Sequence, residues 1–220
     1  MSHHHLGSGR SVLIRLSAAL AARDDEVLRS ALKQAARELA PAEVEEAILQ
    51  SYLFLGYPIA LNAFATWREV SGLSSPHGTP DDWGGWGTRG EDVCRRVYGG
   101  QYEGLRRNVR VLHPDMERWM VVEGYGKVLG RPGLDLATRE LCIAALLSVL
   151  RTPRQLYSHL RGALNAGAGP AEVEEALGLA GRFLDEEGLE SALAVWERVR
   201  ARVSGPGVLE APRPASEPGS

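Results

Sequence analysis

The heptapeptide PAEVEEA occurs twice, at residues 41–47 and 170–176. At the same offset Phe54 meets Phe183, Leu55 meets Leu184, Ala63 meets Ala192, Trp67 meets Trp196 and Val70 meets Val199. Upstream the register shifts by three, so that Arg29–Leu32 falls opposite Arg161–Leu164. A seven-residue identity followed by in-register matches reads as one helical unit carried twice. Two amphipathic helical units bury a shared apolar seam against each other, as helix bundles do. The chain is rich in Ala, Leu, Glu and Arg and has no long stretch of strict polar–apolar alternation. That pattern predicts an all-α fold built on two tandem helical repeats.

Local punctuation divides the 220 residues further. Helices are expected at Ser11–Ala22, at Glu26–Leu39 behind Asp24 and Asp25, from Pro41 to about Gly56, and from Pro58 to about Val70. Residues 72–90, with Trp83 and Trp86 in DDWGGWG, have loop composition, and helix resumes near Glu91. His113-Pro114-Asp115 marks a helix start with Asp115 as N-cap, and Gly130, Pro132 and Gly133 interrupt. Asp135 caps the helix that contains Leu141–Leu150, which is apolar nearly all round and is expected in the core. The resulting division is 1–10 tag-like or disordered, 11–71 first repeat, 72–130 connecting segment, 131–203 second repeat, and 204–220 a disordered Pro/Gly/Ser-rich tail.

Several function classes have no support. Net charge is −3 without a basic stripe, which argues against nucleic-acid binding. No run of about 18 consecutive apolar residues suggests a membrane span, and the start of the chain lacks a signal-peptide core. The two cysteines, Cys94 and Cys142, make neither a disulfide framework nor a zinc site; they are expected to be unbonded, in a reducing cytoplasm. Signatures for nucleotide binding, zinc proteolysis and serine hydrolysis are absent, and no metal or cofactor is expected.

From Arg131 to Leu177 the sequence reads RPGLDLATRELCIAALLSVLRTPRQLYSHLRGALNAGAGPAEVEEAL. This stretch resembles the core of the carboxymuconolactone decarboxylase family, which also includes alkylhydroperoxidase D-type proteins. The resemblance lies in the Arg-Pro-Gly-Leu entry, the apolar helix, the histidine leading into an HxRGALN-like turn and the Pro-x-Glu-Glu helix. FLGYPIALNAF, Phe54–Phe64, resembles the segment that closes that domain. The resemblance implies an all-helical fold, tight homo-oligomers (here a trimer of two-repeat chains) and a small-molecule substrate.

His159 is the first candidate catalytic residue. At helical spacing it shares an apolar, inward face with Leu156, Leu160 and Ala163, where desolvation favours the neutral imidazole that can accept a proton. It also matches the family's motif histidine. Glu140, on the preceding helix, matches a glutamate of the peroxidase-type proton relay. With a bend at Thr152-Pro153 the two differ in depth by roughly 6 Å at 1.5 Å per residue, a gap that side-chain reach closes only in part. Peroxidase-type members place a CxxC before the histidine; the corresponding residues here are Thr152 and Gln155, which form no thiolate. Decarboxylase-type members use acid–base residues and commonly carry a glutamate where this chain has Lys127. Lys127, with Glu123 one turn earlier, and Arg161 are the candidate substrate-binding residues; Glu123 and Lys127 at i, i+4 also fit a plain surface pair.

The leading expectation is therefore a decarboxylase-like, lyase-type enzyme. It would act on a small carboxylated or lactone metabolite, with His159 and Glu140 in acid/base roles. The alternatives are an alkylhydroperoxidase-like antioxidant protein and a non-catalytic helical scaffold.

Overall fold

The computed structural model describes residues 6–78 and 80–203, so residues 1–5 and the tail from 204 lie outside the described residues, while residues 8–10, expected to be tag-like or disordered, instead open the first helix, with Leu6 buried before it. Every regular element among the described residues is helical, as the composition predicts. In chain order they are α1 (Ser8–Ala22), α2 (Asp25–Glu38), α3 (Pro41–Ser71), α4 (Trp83–Tyr98) and α5 (Tyr102–Leu112). Then come α6 (Pro114–Trp119), a π-helix (Met120–Leu129), α7 (Leu136–Val149), α8 (Pro153–Asn165), α9 (Pro170–Ala180) and α10 (Glu186–Val203).

Two helices occupy the centre. In α7 every residue from Leu136 to Ser148 is buried, and α1 is buried from Ser11 through Ile14 and from Leu16 through Ala21. They pack on each other; α2 and α3 flank α1, and α8 and α9 flank α7. All-round burial explains why neither central helix has a clear polar face.

The two halves share their local devices. Pro41 and Pro170 each open a helix at a position where the missing N–H costs nothing, and Glu43 and Glu172 each accept from the backbone N–H before it, of Ala40 at 3.0 Å and Gly169 at 2.8 Å. Arg23 and Arg151, just past α1 and α7, both take left-handed backbone angles, with φ of 56° and 54°. The upstream register differs from the shift of three. Buried Leu28, Leu32 and Ala35 of α2 correspond to buried Leu156, Leu160 and Ala163 of α8 at a one-residue slip from the PAEVEEA offset. That pairing sets Ala31 opposite His159, and the same slip sets Val12 opposite Glu140.

Helix α3 breaks at Gly56 as expected: Gly56 adopts φ 78° and ψ 168°, outside the helical region, and a second helical half runs from about Pro58 to Ser71. Elsewhere the structure departs from expectation. An 18-residue window of α3 is apolar enough, at mean hydropathy 1.3, to cross a membrane by length and composition, although no continuous apolar run is that long; a third of the window is buried in the fold. Trp83 and Trp86 lie in helix α4 instead of a loop. Asp82 caps that helix by accepting from Gly85 N–H at 2.9 Å. The glycines serve packing: a Cβ on Gly90 or Gly126 would collide with the backbone carbonyls of Val121 or Trp86, so α4 and the π-helix cross backbone to backbone. The N-cap before α6 is His113, whose Nδ1 accepts from Asp115 N–H at 3.1 Å, and not Asp115. Asp135 caps α7 as expected, accepting from Thr138 N–H at 2.9 Å. Both cysteines are free and buried.

Candidate active site

His159 lies on the inward face of α8, where Leu156, Leu160 and Ala163 are all buried with it. Its side chain is 8% exposed and that of Glu140, on α7, is 0% exposed. The two meet directly: His159 Nδ1 and Glu140 Oε2 are 2.8 Å apart. The depth gap expected from residue counting is therefore closed.

Gly162 explains how. It stands as many residues into α8 as Glu140 stands before the end of α7, so the two face each other across the hairpin. A Cβ at Gly162 would lie 2.6 Å from Glu140 Oε2 and 2.7 Å from Val97 Cγ1. Its absence lets the carboxylate lie against α8 and reach back one turn to the imidazole. Asn165 completes the frame: its Nδ2 donates to the carbonyl of Val97 at 2.7 Å and ties the end of α8 to α4.

In the form that pairs a carboxylate with a neutral imidazole, Nδ1 donates to Oε2 and Nε2 offers a lone pair. Nε2 has no hydrogen-bond partner among the described residues. The ring of Phe54, from the bend of α3, stands edge-on to the imidazole with centroids 5.6 Å apart. Such an arrangement is chemically able to act as a base held by an orienting carboxylate.

Thiol chemistry lacks its parts. Thr152 is half-buried and its hydroxyl donates to Leu147 O at 3.3 Å, while Gln155 is exposed. Burial pushes the Cys94 thiol up to about 12 and the Cys142 thiol up to about 11, so neither supplies a thiolate near neutral pH.

The other sequence candidates are dispersed. Glu123 accepts from Tyr52 Oη at 3.0 Å, and Lys127 sits over the Trp86 ring at 5.3 Å, so their partners are different and no pair forms between them. Arg161 lies over the Tyr157 ring at 5.9 Å, on the face of α8 turned away from His159. A cleft of about 210 Å³ lies at the starts of α1 and α7, lined by Arg10, Glu43, Asp135 and Thr138 among others; His159 does not line it.

Sequence reasoning missed Arg139, which is 0% exposed. Its guanidinium donates to Glu46 Oε2 at 2.7 Å, to Gln50 Oε1 at 3.2 Å and to the carbonyls of Arg131 and Pro132. It thus fixes the Arg-Pro-Gly turn and the residue before Glu140 onto α3. An arginine inside an apolar helix is the signal that could have found it, since a buried charge requires partners. Also missed were Tyr98 and Tyr125, whose hydroxyls are 2.9 Å apart and feel the charge of Glu140.

Residues 114–198 match the carboxymuconolactone decarboxylase family. The chain is also similar to a protein of Schizosaccharomyces pombe named peroxisomal protein 2, at 28% identity over 170 residues, which cover 72% of this chain and 78% of that protein.

Proposed function

We propose that this chain, whose residues 114–198 form a carboxymuconolactone decarboxylase family domain, is an acid/base enzyme acting on a small carboxylated or lactone metabolite. The observation that carries the proposal is the buried contact of 2.8 Å between Glu140 and His159, with no reactive thiol beside it.

In this reading the substrate binds as a carboxylate, His159 Nε2 takes up one proton from water, and Glu140 balances the imidazolium that forms. When the bond between a ring carbon and its carboxylate breaks, carbon dioxide leaves and the electron pair stays on the carbon. The imidazolium returns one proton there, and the Glu140–His159 pair goes back to its starting state. Tyr52, on the stretch of α3 that also carries Phe54, and Glu123 of the π-helix, which accepts from it, are the polar groups proposed to border the substrate. Lys127 stays a secondary candidate, because the Trp86 ring holds its ammonium.

The two halves support a further part of the reading: one unit is chemical and the other is structural. Val12 and Ala31 stand where the second unit has Glu140 and His159, so each chain carries one dyad. Two free, buried cysteines support a reducing, intracellular setting.

The test uses the purified full chain and a panel of small lactone acids, with carbon dioxide release as the readout. Turnover of one member that survives removal of both thiols supports the reading. Peroxide consumption with a dithiol, lost when the cysteines are changed to serine, would favour the antioxidant alternative instead.

A further inference from the structure

Two hydrogen-bonding capacities are unmet around the dyad. Glu140 gives Oε2 to His159, while its Oε1 is enclosed and has no partner among the described residues. Within range of the Glu140 charge, Tyr98 of α4 and Tyr125 of the π-helix share one hydrogen bond, Tyr125 Oη donating to Tyr98 Oη at 2.9 Å with the rings edge to face. Two hydroxyls that share one bond use one of their two protons; the proton of Tyr98 then has no acceptor among the described residues. Burial holds both phenols well above their ordinary range, and the charge of Glu140 adds to it, so both keep their protons at neutral pH.

His159 and Gly162 of α8 lie against Glu140 Oε2, with Val97 of α4 packed at Gly162; the Glu140 charge bears on Cys94 of α4 and Tyr125 of the π-helix, and Phe54 of α3 stands edge-on to the imidazole. Arg139, its neighbour in sequence, gives its terminal nitrogens to Glu46 and Gln50, and its enclosed Nε has no partner among the described residues. No lysine or arginine pairs with Glu140 among the described residues. A buried carboxylate without a cation depends on every donor it can reach.

We propose that Tyr98 and Tyr125 are positioning residues for Glu140. A hydrogen-bonded chain runs from Tyr125 Oη to Tyr98 Oη and, through one enclosed water, to Glu140 Oε1. It fixes the carboxylate so that Oε2 faces His159 Nδ1. This leaves the imidazole in the single tautomer whose Nε2 is the base. The π-helix has a role in this arrangement: its wider turn, crossing α4 at Gly90 and Gly126, sets the Tyr125 hydroxyl against Tyr98. The use of the chain rests on the acid/base reading, but its existence does not.

The experiment needs no substrate. A crystal structure of the full chain is expected to show an ordered water within hydrogen-bonding distance of both Tyr98 Oη and Glu140 Oε1. In the protein labelled with ¹³C at tyrosine Cζ, the Tyr98 resonance is expected to move in Glu140→Gln and the Tyr52 resonance to stay. Should Glu140→Gln not fold, Tyr98→Phe is read instead through the low-field proton of His159 Nδ1, which is expected to shift. No bridging water, or a Tyr98 signal (or, in the second variant, a His159 signal) that stays put, overturns the proposal. Signals that respond in a protein without turnover would retain the chain and remove the enzyme reading. Turnover with unresponsive signals would do the reverse.

Discussion

Trp67 and Trp196 are both buried, and each donates its indole N–H to a glutamate 22 residues upstream, Glu45 and Glu174, at the same 3.1 Å. Each bond ties the helix that follows a break, the second half of α3 or α10, to the helix opened by Pro41 or Pro170. If the halves are two copies of one unit, Trp67→Phe and Trp196→Phe should cost similar stability, about 2–3 kcal/mol each for a lost hydrogen bond to a charged group and some packing. Urea denaturation measures both. A large cost for one and none for the other would separate the two halves.

Gly162 is the point where Glu140 touches α8. Gly162→Ala should displace the carboxylate or Val97, because the added methyl has no free space, at a cost of about 1–3 kcal/mol. The His159 contact should lengthen and any turnover should fall, while helix α8 itself gains a better helix former. Full activity and unchanged stability in this variant would contradict the packing described.

Glu117 gives the fold an acid-sensitive joint. Burial pushes its carboxyl up, but hydrogen bonds and charges from Arg106 and Arg110 outweigh this and hold it below its ordinary range. A depressed carboxyl contributes stability that is fully present above its unfolded value, about 4.3. That stability is lost as pH falls through the lower folded value. Thermal unfolding below pH 4.3 should therefore be less pH-dependent in Glu117→Gln than in the parent. Glu117→Gln should cost about 2–3 kcal/mol at pH 7. Identical acid profiles would remove Glu117 from the account.

Tyr57 and Leu61, on the second half of α3, are 61% and 62% exposed. The corresponding positions of α10 carry Glu186 and Glu190, also exposed. One copy of the same face is charged and the other apolar, as expected where only one is covered by a neighbour. Light scattering should give a homo-oligomer, three times the 23.9 kDa chain, and Tyr57→Glu with Leu61→Glu should lower that mass. A parent that scatters as a monomer at micromolar concentration would refute the trimer.

Much of this architecture is legible in residues whose effect is local. Prolines at first helical turns, Asp135 at an N-cap and the alternation of Leu and Ala on α8 act within one or two turns, so the sequence carries them openly. The helix through DDWGGWG was not legible, because it is held by the close crossing of Trp86 and Gly90 against Gly126 and Val121, far away in sequence. The π-helix hides for a related reason: its spacing is set by α4 and not by its own residues. The candidate site divides the same way. His159 and Glu140 stand out by residue type, but their contact depends on a missing Cβ at Gly162, and Tyr98 and Tyr125 meet only in three dimensions.

The central claim is that Glu140 and His159, and no thiol, do the chemistry. The most direct measurement is turnover of a lactone acid accepted by the parent, compared between His159→Gln and the double variant Cys94→Ser, Cys142→Ser. The account predicts a loss of at least about 100-fold for His159→Gln and parent-like turnover for the cysteine variant. Full turnover in His159→Gln, or its loss in the folded cysteine variant, would contradict it.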